Sequence, residues 1–509
     1  MCGIFAYITR NSDYDIEFLR EQGNKCSHRG PDSTKETLYQ SMNYDVFFQF
    51  HRLAINGLSD KSNQPFEIGS SSLICNGEIY NYKELAKEHN IILETDSDCE
   101  IILHLYHLLG INMITLLDGV FSFIILNRET NLIHVGHDPL GIRSLYMCEN
   151  TDGLRISSEL KCLSSFQGNK QMVKPGSILH YDLLTGGSIS QTYFHLDFTV
   201  KYLNDIDSLL MIKGNLYNSV KKRLLSDRPV GALLSGGLDS SIIVSLMCKM
   251  MKPSNIKTFS IGFKGSPDLV AADIVAKYLG TNHTSVIVSE QDMLEAIEPT
   301  IKQIESYDTT TVRASVPMYL LSKYIKDNTD ITVILSGEGS DELSGSYLYF
   351  HKAPSPKHFQ DECIRLIKDV QHFDVLRGDK TTAGNGLEIR VPFFDKGFVK
   401  EYMSIDPKLK TVRDGYEKYL LRKAFEGDLP DDIIWRRKDG FSDGVSSIKK
   451  PWYQVIEEYT QKNNYTEKEF YLTLFKKYYK GCEHICPYEW LPKWIDQSNP
   501  SGRLILASD

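Results

Sequence analysis

Two short segments of this 509-residue chain hold residue types that could do chemistry together. The first is Met1-Cys2-Gly3-Ile4. Removal of Met1 puts a thiol and a free α-amine on one residue, Cys2. An α-amine titrates near ~7.7–8, so around neutral pH it can take the proton of its own side chain. A small, half-buried cysteine opening a strand explains MCGI equally well on its own. The second segment shifts that balance. Ser235-Gly236-Gly237-Leu238-Asp239-Ser240 lies between a strand-like VGALL and a helix-like SIIVSLM. Two glycines there let the backbone approach an anion, and the helix N-terminus offers free N–H groups to phosphate oxygens. No GKS or GKT follows, so this is not a Walker loop. One end of the chain is suited to releasing a group, the other to activating an acceptor.

Acids and cations near the second segment extend that reading. LSGEGSDE follows a strand predicted at 331–335 and sets Glu338, Asp341 and Glu342 at its C-terminal end, where open α/β sheets bind ligands. Hard carboxylate oxygens suit Mg²⁺ bridging phosphates, so Asp239 and Asp341 are expected to hold the metal. An ordinary acid at a helix N-terminus is the alternative for Asp239. Lys438 in WRRKDGFSDGV and Lys380 in RGDKTTAGNGLE are candidates to balance a departing pyrophosphate. A solvated surface lysine is the alternative for each.

The elements that must position these residues fall into two halves. The first ~190 residues read as many short strands with few helices, with β-like stretches at 45–50, 72–75, 120–126, 132–136 and 154–157. A helix is predicted over 98–109, and turn signals at 174–176 and 184–187 precede a boundary placed at 187–205. From 205 onward helix and strand alternate: helix 206–225, strand 230–234, helix 240–251, strand 257–263, helix 268–279, strand 284–288 and strand 331–335. Such alternation predicts a parallel, doubly wound sheet.

Composition narrows the class. The length argues for two or three domains. A net charge of −9 argues against general affinity for nucleic acid or membrane. No apolar run approaches ~20 residues, and no basic flank leads an apolar stretch at the N-terminus, so neither a membrane span nor secretion is expected. The ten cysteines are scattered. CEHIC at 482–486 lacks the second ligand pair a structural zinc would want. Free thiols in a reducing cytoplasm are expected.

Taken in order, MCGI, HRGPDS, FHRLAI, NGEIYN, DCEIILHLY, LSGGLDSS, SIGFKGSPDLVAA, TTVRASVPMYL, LSGEGSDEL, LEIRVPFFD, WRRKDGFSDGV and the tail EWLPKWIDQSNPSGR resemble the glutamine-hydrolysing asparagine synthetase family, in its eukaryotic type, almost end to end. The resemblance implies an α+β N-terminal nucleophile (Ntn) hydrolase domain of αββα layering over 1–190, a class II glutamine amidotransferase. An α/β doubly wound ATP-pyrophosphatase domain would follow over 205–509. The first would hydrolyse glutamine. The second would turn aspartate and MgATP into β-aspartyl-AMP, which ammonia converts to asparagine and AMP. A dry passage between the sites and a homodimer are also implied.

Residue by residue, the resemblance makes Cys2 the nucleophile, with the Asn76 side chain and Gly77 N–H as oxyanion donors. A plain hairpin turn is the alternative for Asn76-Gly77. Arg52 would fork the α-carboxylate of glutamine, and Glu78 and Asp98 would meet its ammonium, a helix N-cap being the competing role for Asp98. Arg29 and Asp32 would order that pocket. ATP would lie against Leu234, Ser235, Gly236, Gly237, Asp239, Ser240, Ile261, Ser336, Gly337 and Lys438. Thr310, Thr311 and Arg313 would bind aspartate, with a core-edge or intersubunit role open for Arg313. Glu338 would face the substrate amine or assist proton loss from ammonia.

The chain departs from the family pattern in GHDPLGIRSL, where His137 replaces Arg and Ser144 replaces Pro. These changes are expected to weaken coupling between the domains. Gly345-Ser346-Tyr347 also departs from the more usual GGY or QGY. Gly378 and Gly384 suggest a mobile loop. A β-lactam-forming relative is the main alternative enzyme, and Cys2, Asn76 and Asp98 argue against it. A phosphoribosyl-transferring amidotransferase would lack SGGLDS. A silent amino-acid sensor would have no need of Asp239, Asp341 and Lys438.

Overall fold

The computed structural model describes residues 1–437, 444–446 and 450–495. Two antiparallel six-stranded sheets build the N-terminal half, with strands numbered along the chain. One runs β10 (Asn169–Met172), β8 (Tyr146–Asn150), β9 (Gly153–Ser157), β1 (Gly3–Thr9), β3 (Asp45–Arg52), β2 (Ser33–Gln40). The other runs β12 (Ser188–Thr192), β11 (Ser177–Asp182), β7 (Leu132–His137), β6 (Gly119–Asn127), β5 (Ser71–Ile79), β4 (Phe66–Ile68). Strand alternation sets the layering. Ile4, Ala6 and Ile8 of β1 point between the sheets against Ile74, Ile124 and Val135, while Phe5 and Tyr7 point outward to the helical layer. The result is helix, sheet, sheet, helix.

A five-stranded parallel sheet organises the C-terminal half in the order β15 (Asn282–Ile287), β14 (Lys257–Gly262), β13 (Val230–Leu233), β16 (Val333–Leu335), β17 (Glu388–Arg390). The chain leaves β13 toward β15 and returns to the other side of β13 at β16. Strand order therefore reverses between β13 and β16, the place where a doubly wound sheet opens a crevice. The segment SGGLDS follows β13 and SGEGSDE follows β16. Helix Leu238–Cys248, buried nearly all round, packs behind the first of them.

Element limits differ from the sequence reading in informative places. β5 runs through Asn76-Gly77-Glu78, pairing Asn76 with Ser122 and Gly77 with Phe121, so no hairpin turn lies there. The helix predicted from 98 starts at Glu100. Asp98 spends its carboxylate on the Ile79 N–H (2.6 Å) instead of capping. Gly378 lies inside helix Asp374–Ala383 and Gly384 caps it, closely packed against Gln303, so the expected mobile loop is a buried helix.

Buried charge joins the halves. Arg29 bonds Glu159 (3.0 Å) and Asp379 (2.9 Å), and Arg390 meets Glu78 (3.1 Å). Glu305 accepts from the N–H groups of Leu160 and Lys161, both at 2.8 Å. Lys380 is fully buried on Glu305. The expected role of Lys380 at a pyrophosphate is thereby corrected: it faces the N-terminal half because the end of its helix packs there. His137 holds its turn through the carbonyls of Val173 (2.9 Å) and Arg143 (2.7 Å), and Ser144 donates across the interface to Asp379 (3.1 Å). Of the substitutions expected to loosen this interface, Ser144 contributes a contact to it, while His137 bonds within the N-terminal half. Lys380→Met strands Glu305 and should cost about 3–5 kcal/mol, read as a lower urea midpoint, and adding Glu305→Leu should recover little of that loss, because the Leu160 and Lys161 N–H groups then lose their acceptor.

Candidate active sites

At the N-terminal site Met1 is 1% exposed, in one hydrophobic cluster with Leu53, Ile55, Tyr80 and Leu140. Burial lowers its amine to about 6 and raises the Cys2 thiol to about 11. The Cys2 carbonyl accepts from Arg29 Nε at 3.0 Å, which ties the first strand to the interdomain charges. Strands β1 and β5 pack across the sandwich and bring Cys2 toward the face of Asn76 and Glu78. Asn76 is fully buried, yet among the described residues neither its amide nitrogen nor its oxygen has a hydrogen-bond partner. An amide left so is costly unless it serves a ligand. A side chain at Gly77 would collide with the Val120 carbonyl at 2.5 Å, so close strand packing requires glycine there.

Three carboxylates converge behind Asn76. Asn56 Nδ2 donates to Glu78 and, at 3.4 Å, to Asp98. Burial raises Asp98 to about 6, and burial with Glu388 and Asp98 nearby pushes Glu78 well above the usual range. Burial opposes charge on Glu388 as well, but Arg390 and Arg143 bring it below the usual range. Arg52 is held by the carbonyls of Ser59 (2.8 Å) and Gly57 and by Asn63 (3.0 Å). Its fork is engaged by the 57–63 loop. Asp32 accepts from the Ala54 N–H at 2.8 Å, bracing the chain beside it.

At the C-terminal site a cavity of about 250 Å³ opens at the strand-order reversal. Ser235, Gly237, Asp239 and Ser240 line one wall and Ser336, Gly337, Glu338 and Asp341 the other. Asp239 accepts from Ser340 Oγ (2.8 Å) and from Lys418 Nζ (2.6 Å), and Lys418 also bonds Asp341. Glu338 pairs with Arg377, which also reaches Asp374 at 2.9 Å. Burial raises Glu338, and burial with Asp374 and Asp341 raises Glu342 well above the usual range.

Several expected ligands sit differently. Leu234 and Ile261 are buried in the hydrophobic cores and are not among the residues lining this cavity. Gly236, at φ 72°, has the Ala271–Ala272 backbone within 2.4 Å of where a Cβ would stand, so it lets the neighbouring helix approach. Thr310 and Thr311 line the cavity but donate their hydroxyls to Asp308 (2.8 Å each), capping helix Thr309–Asn328. Arg313 also lines it, with its fork on Glu467. Lys438 lies outside the described residues.

Known proteins match both halves. A glutamine amidotransferase domain profile matches residues 1–219, and an asparagine synthase profile matches 211–361 and 353–495. The glutamine-hydrolysing asparagine synthetases of Gallus gallus and Homo sapiens are each 38% identical, covering 99% of this chain and 98% of theirs. A probable asparagine synthetase of Acanthamoeba polyphaga mimivirus is 40% identical over 99% of this chain and all of its own. The chain belongs to the glutamine-hydrolysing asparagine synthetase family. In this member of the family, sequence reasoning missed Asn56, Glu388 and Arg390 at the first site and Asp374, Arg377 and Lys418 at the second. Glu388, Arg390 and Arg377 stand inside LEIRVPFFD and RGDK, motifs that carried no assigned partner. Lys418 stands in YEKYLL, which carries no signal of its own.

The enclosure of Met1 has a consequence for maturation. Arg29 and Arg143 lie against the Met1 sulfur, and Glu388 of the second half is near enough to act on the Met1 amine. Native protein retaining Met1 should resist a methionine aminopeptidase that removes Met1 readily from the same chain unfolded in urea; mass spectrometry of the intact chain reads the difference.

Proposed function

We propose that this chain makes asparagine from aspartate with ATP and with nitrogen taken from glutamine. The supporting observation is the pairing of two different sites on one chain: a buried, unpartnered asparagine amide near an N-terminal cysteine, and a phosphate-ready loop facing acids across a sheet reversal. At the first site the Cys2 sulfur attacks the glutamine side-chain amide, and the Cys2 α-amine, freed by loss of Met1, takes the proton and returns it to departing ammonia. Asn76 Nδ2 and the Gly77 N–H receive the oxyanion. Asp98 and Glu78 face the ammonium of glutamine. Arg52 takes its carboxylate on exchanging a loop carbonyl for it.

At the second site the aspartate side chain attacks the α-phosphate of ATP, pyrophosphate departs, and ammonia displaces AMP from the acyl carbon. The Ser235–Ser240 loop holds phosphate oxygens, and Lys418 and Lys438 offset pyrophosphate charge. The described residues fit a magnesium ion. Asp239 and Asp341 already converge on one cation, and two carboxylates are the usual protein share of Mg²⁺ held with phosphates. Bound there with ATP, the metal would neutralise charge on the phosphates. Arg313 and Arg377 both line the cavity, each paired with acid, and bring guanidinium groups to the aspartate carboxylates. Glu338, beside Arg377, faces the amine or the incoming ammonia. Ten free thiols support a reducing cytoplasm as the working compartment. Among the described residues no helix is long and apolar enough to cross a membrane.

Cys2→Ala should lower asparagine and AMP formation from glutamine by about a thousandfold or more while leaving synthesis from added ammonium at the wild-type rate. Loss of both would make Cys2 structural, and AMP formation with neither aspartate nor nitrogen would refute the acceptor. Asp98 adds a pH signature. It must be ionised to meet an ammonium, and it titrates near about 6. Below that value kcat/KM for glutamine should fall by roughly tenfold per pH unit, measured as glutamate release.

A further inference from the structure

Lys418 is 3% exposed and sits between the two carboxylates assigned to the metal. Its Nζ lies 2.6 Å from Asp239 Oδ2 and bonds Asp341 Oδ1. Those carboxylates come from the first turns of separate helices, Leu238–Cys248 after β13 and Ser340–Ser344 after β16, and the lysine comes from a third segment. The chain is shaped to deliver it. Lys418 has φ 57°, the left-handed region that a residue with a Cβ enters only at a cost, typically where function holds it. Arg422 fixes that turn by donating to the Glu417 carbonyl (2.8 Å) and pairing with the Glu417 carboxylate. It is anchored further by the carbonyls of Ile434 and Arg436 (3.0 Å).

A divalent ion bound to the same two oxygens would stand about 2 Å from each, within the space the ammonium already fills. Two cations that close repel strongly in a partly buried cleft. With the lysine in place the carboxylate pair is half neutralised, which weakens its attraction for a free ion. Phosphate oxygens of a nucleotide offer the ammonium another partner in the same cavity, and its flexible four-carbon stem lets it swing toward them.

We propose that Lys418 is a stand-in for the metal: it occupies Asp239 and Asp341 until nucleotide phosphates draw it off, so a divalent ion enters only together with nucleotide. This rests on the assignment of those two carboxylates to the metal. Lys418 is a positioning residue in this scheme, keeping two helix N-termini from separate strands at metal-binding distance while no metal is there.

Mn²⁺ binding to the purified full-length chain, followed by electron paramagnetic resonance of the free ion, tests it without turnover. Nucleotide-free wild type should take up little Mn²⁺ at about 1 mM, and a non-hydrolysable ATP analogue should bring one ion on. Lys418→Met should bind Mn²⁺ without nucleotide at least about tenfold more tightly than wild type, and Lys418→Arg should behave as wild type. Nucleotide-free wild type binding as tightly as Lys418→Met would overturn the proposal, as would tight nucleotide-free binding by wild type if Lys418→Met does not fold. Asp239→Asn separates the two ideas. If it keeps the analogue-dependent ion, the metal assignment fails; if it loses that ion while Lys418→Met matches wild type, the stand-in role alone fails.

Discussion

Charge buried between the two halves is the constraint from which both sites take their shape. Helix Asp374–Ala383 carries Asp374 and Arg377 into the C-terminal cavity at one end. At the other end it presents Asp379 to Arg29 and Lys380 to Glu305. Arg29 in turn holds the carbonyl of Cys2. A buried ion pair adds little net stability over an apolar pair, but removing one partner is expensive, so such a lattice tolerates few arrangements. Here the arrangement fixes where the first strand starts and where the second cavity ends. One ten-residue helix is therefore a structural member of both sites.

The residues most legible in the sequence were those whose chemistry is local. Cys2 needs only its own backbone amine, and the loop Ser235–Ser240 needs only a strand before it and a helix after it. The parallel sheet was equally open to reading, because alternating periods of strand and helix record it directly. Asn76 and Gly77 could have been a turn or part of a strand; pairing with Ser122 and Phe121 decides between them, and that pairing spans about forty-five residues.

What stayed hidden depends on distant partners. Arg313 reads as a carboxylate ligand, and no local signal shows that Glu467, 154 residues away, holds its fork at the cavity wall. Lys380 reads as a phosphate cation until its helix is seen to turn toward Glu305. Lys418 has no motif around it, and its position between Asp239 and Asp341 follows from three segments meeting in space. His137 and Ser144 read as losses at the interface, yet Ser144 donates across it to Asp379 and His137 bonds the Arg143 carbonyl within its own half, acceptors that no spacing rule identifies.

Glu78 receives its guanidinium partner from β17, more than three hundred residues downstream. The half that holds the N-terminal cysteine therefore takes the ion-pair partner of Glu78 from the other half. A chimera joining residues 1–190 to the second half of a distant relative would place an unmatched carboxylate beside the pocket unless the 374–390 segment travelled with it. The practical seam for exchanging parts within this architecture is thus not the linker near residue 200 but a discontinuous boundary drawn around that helix and strand.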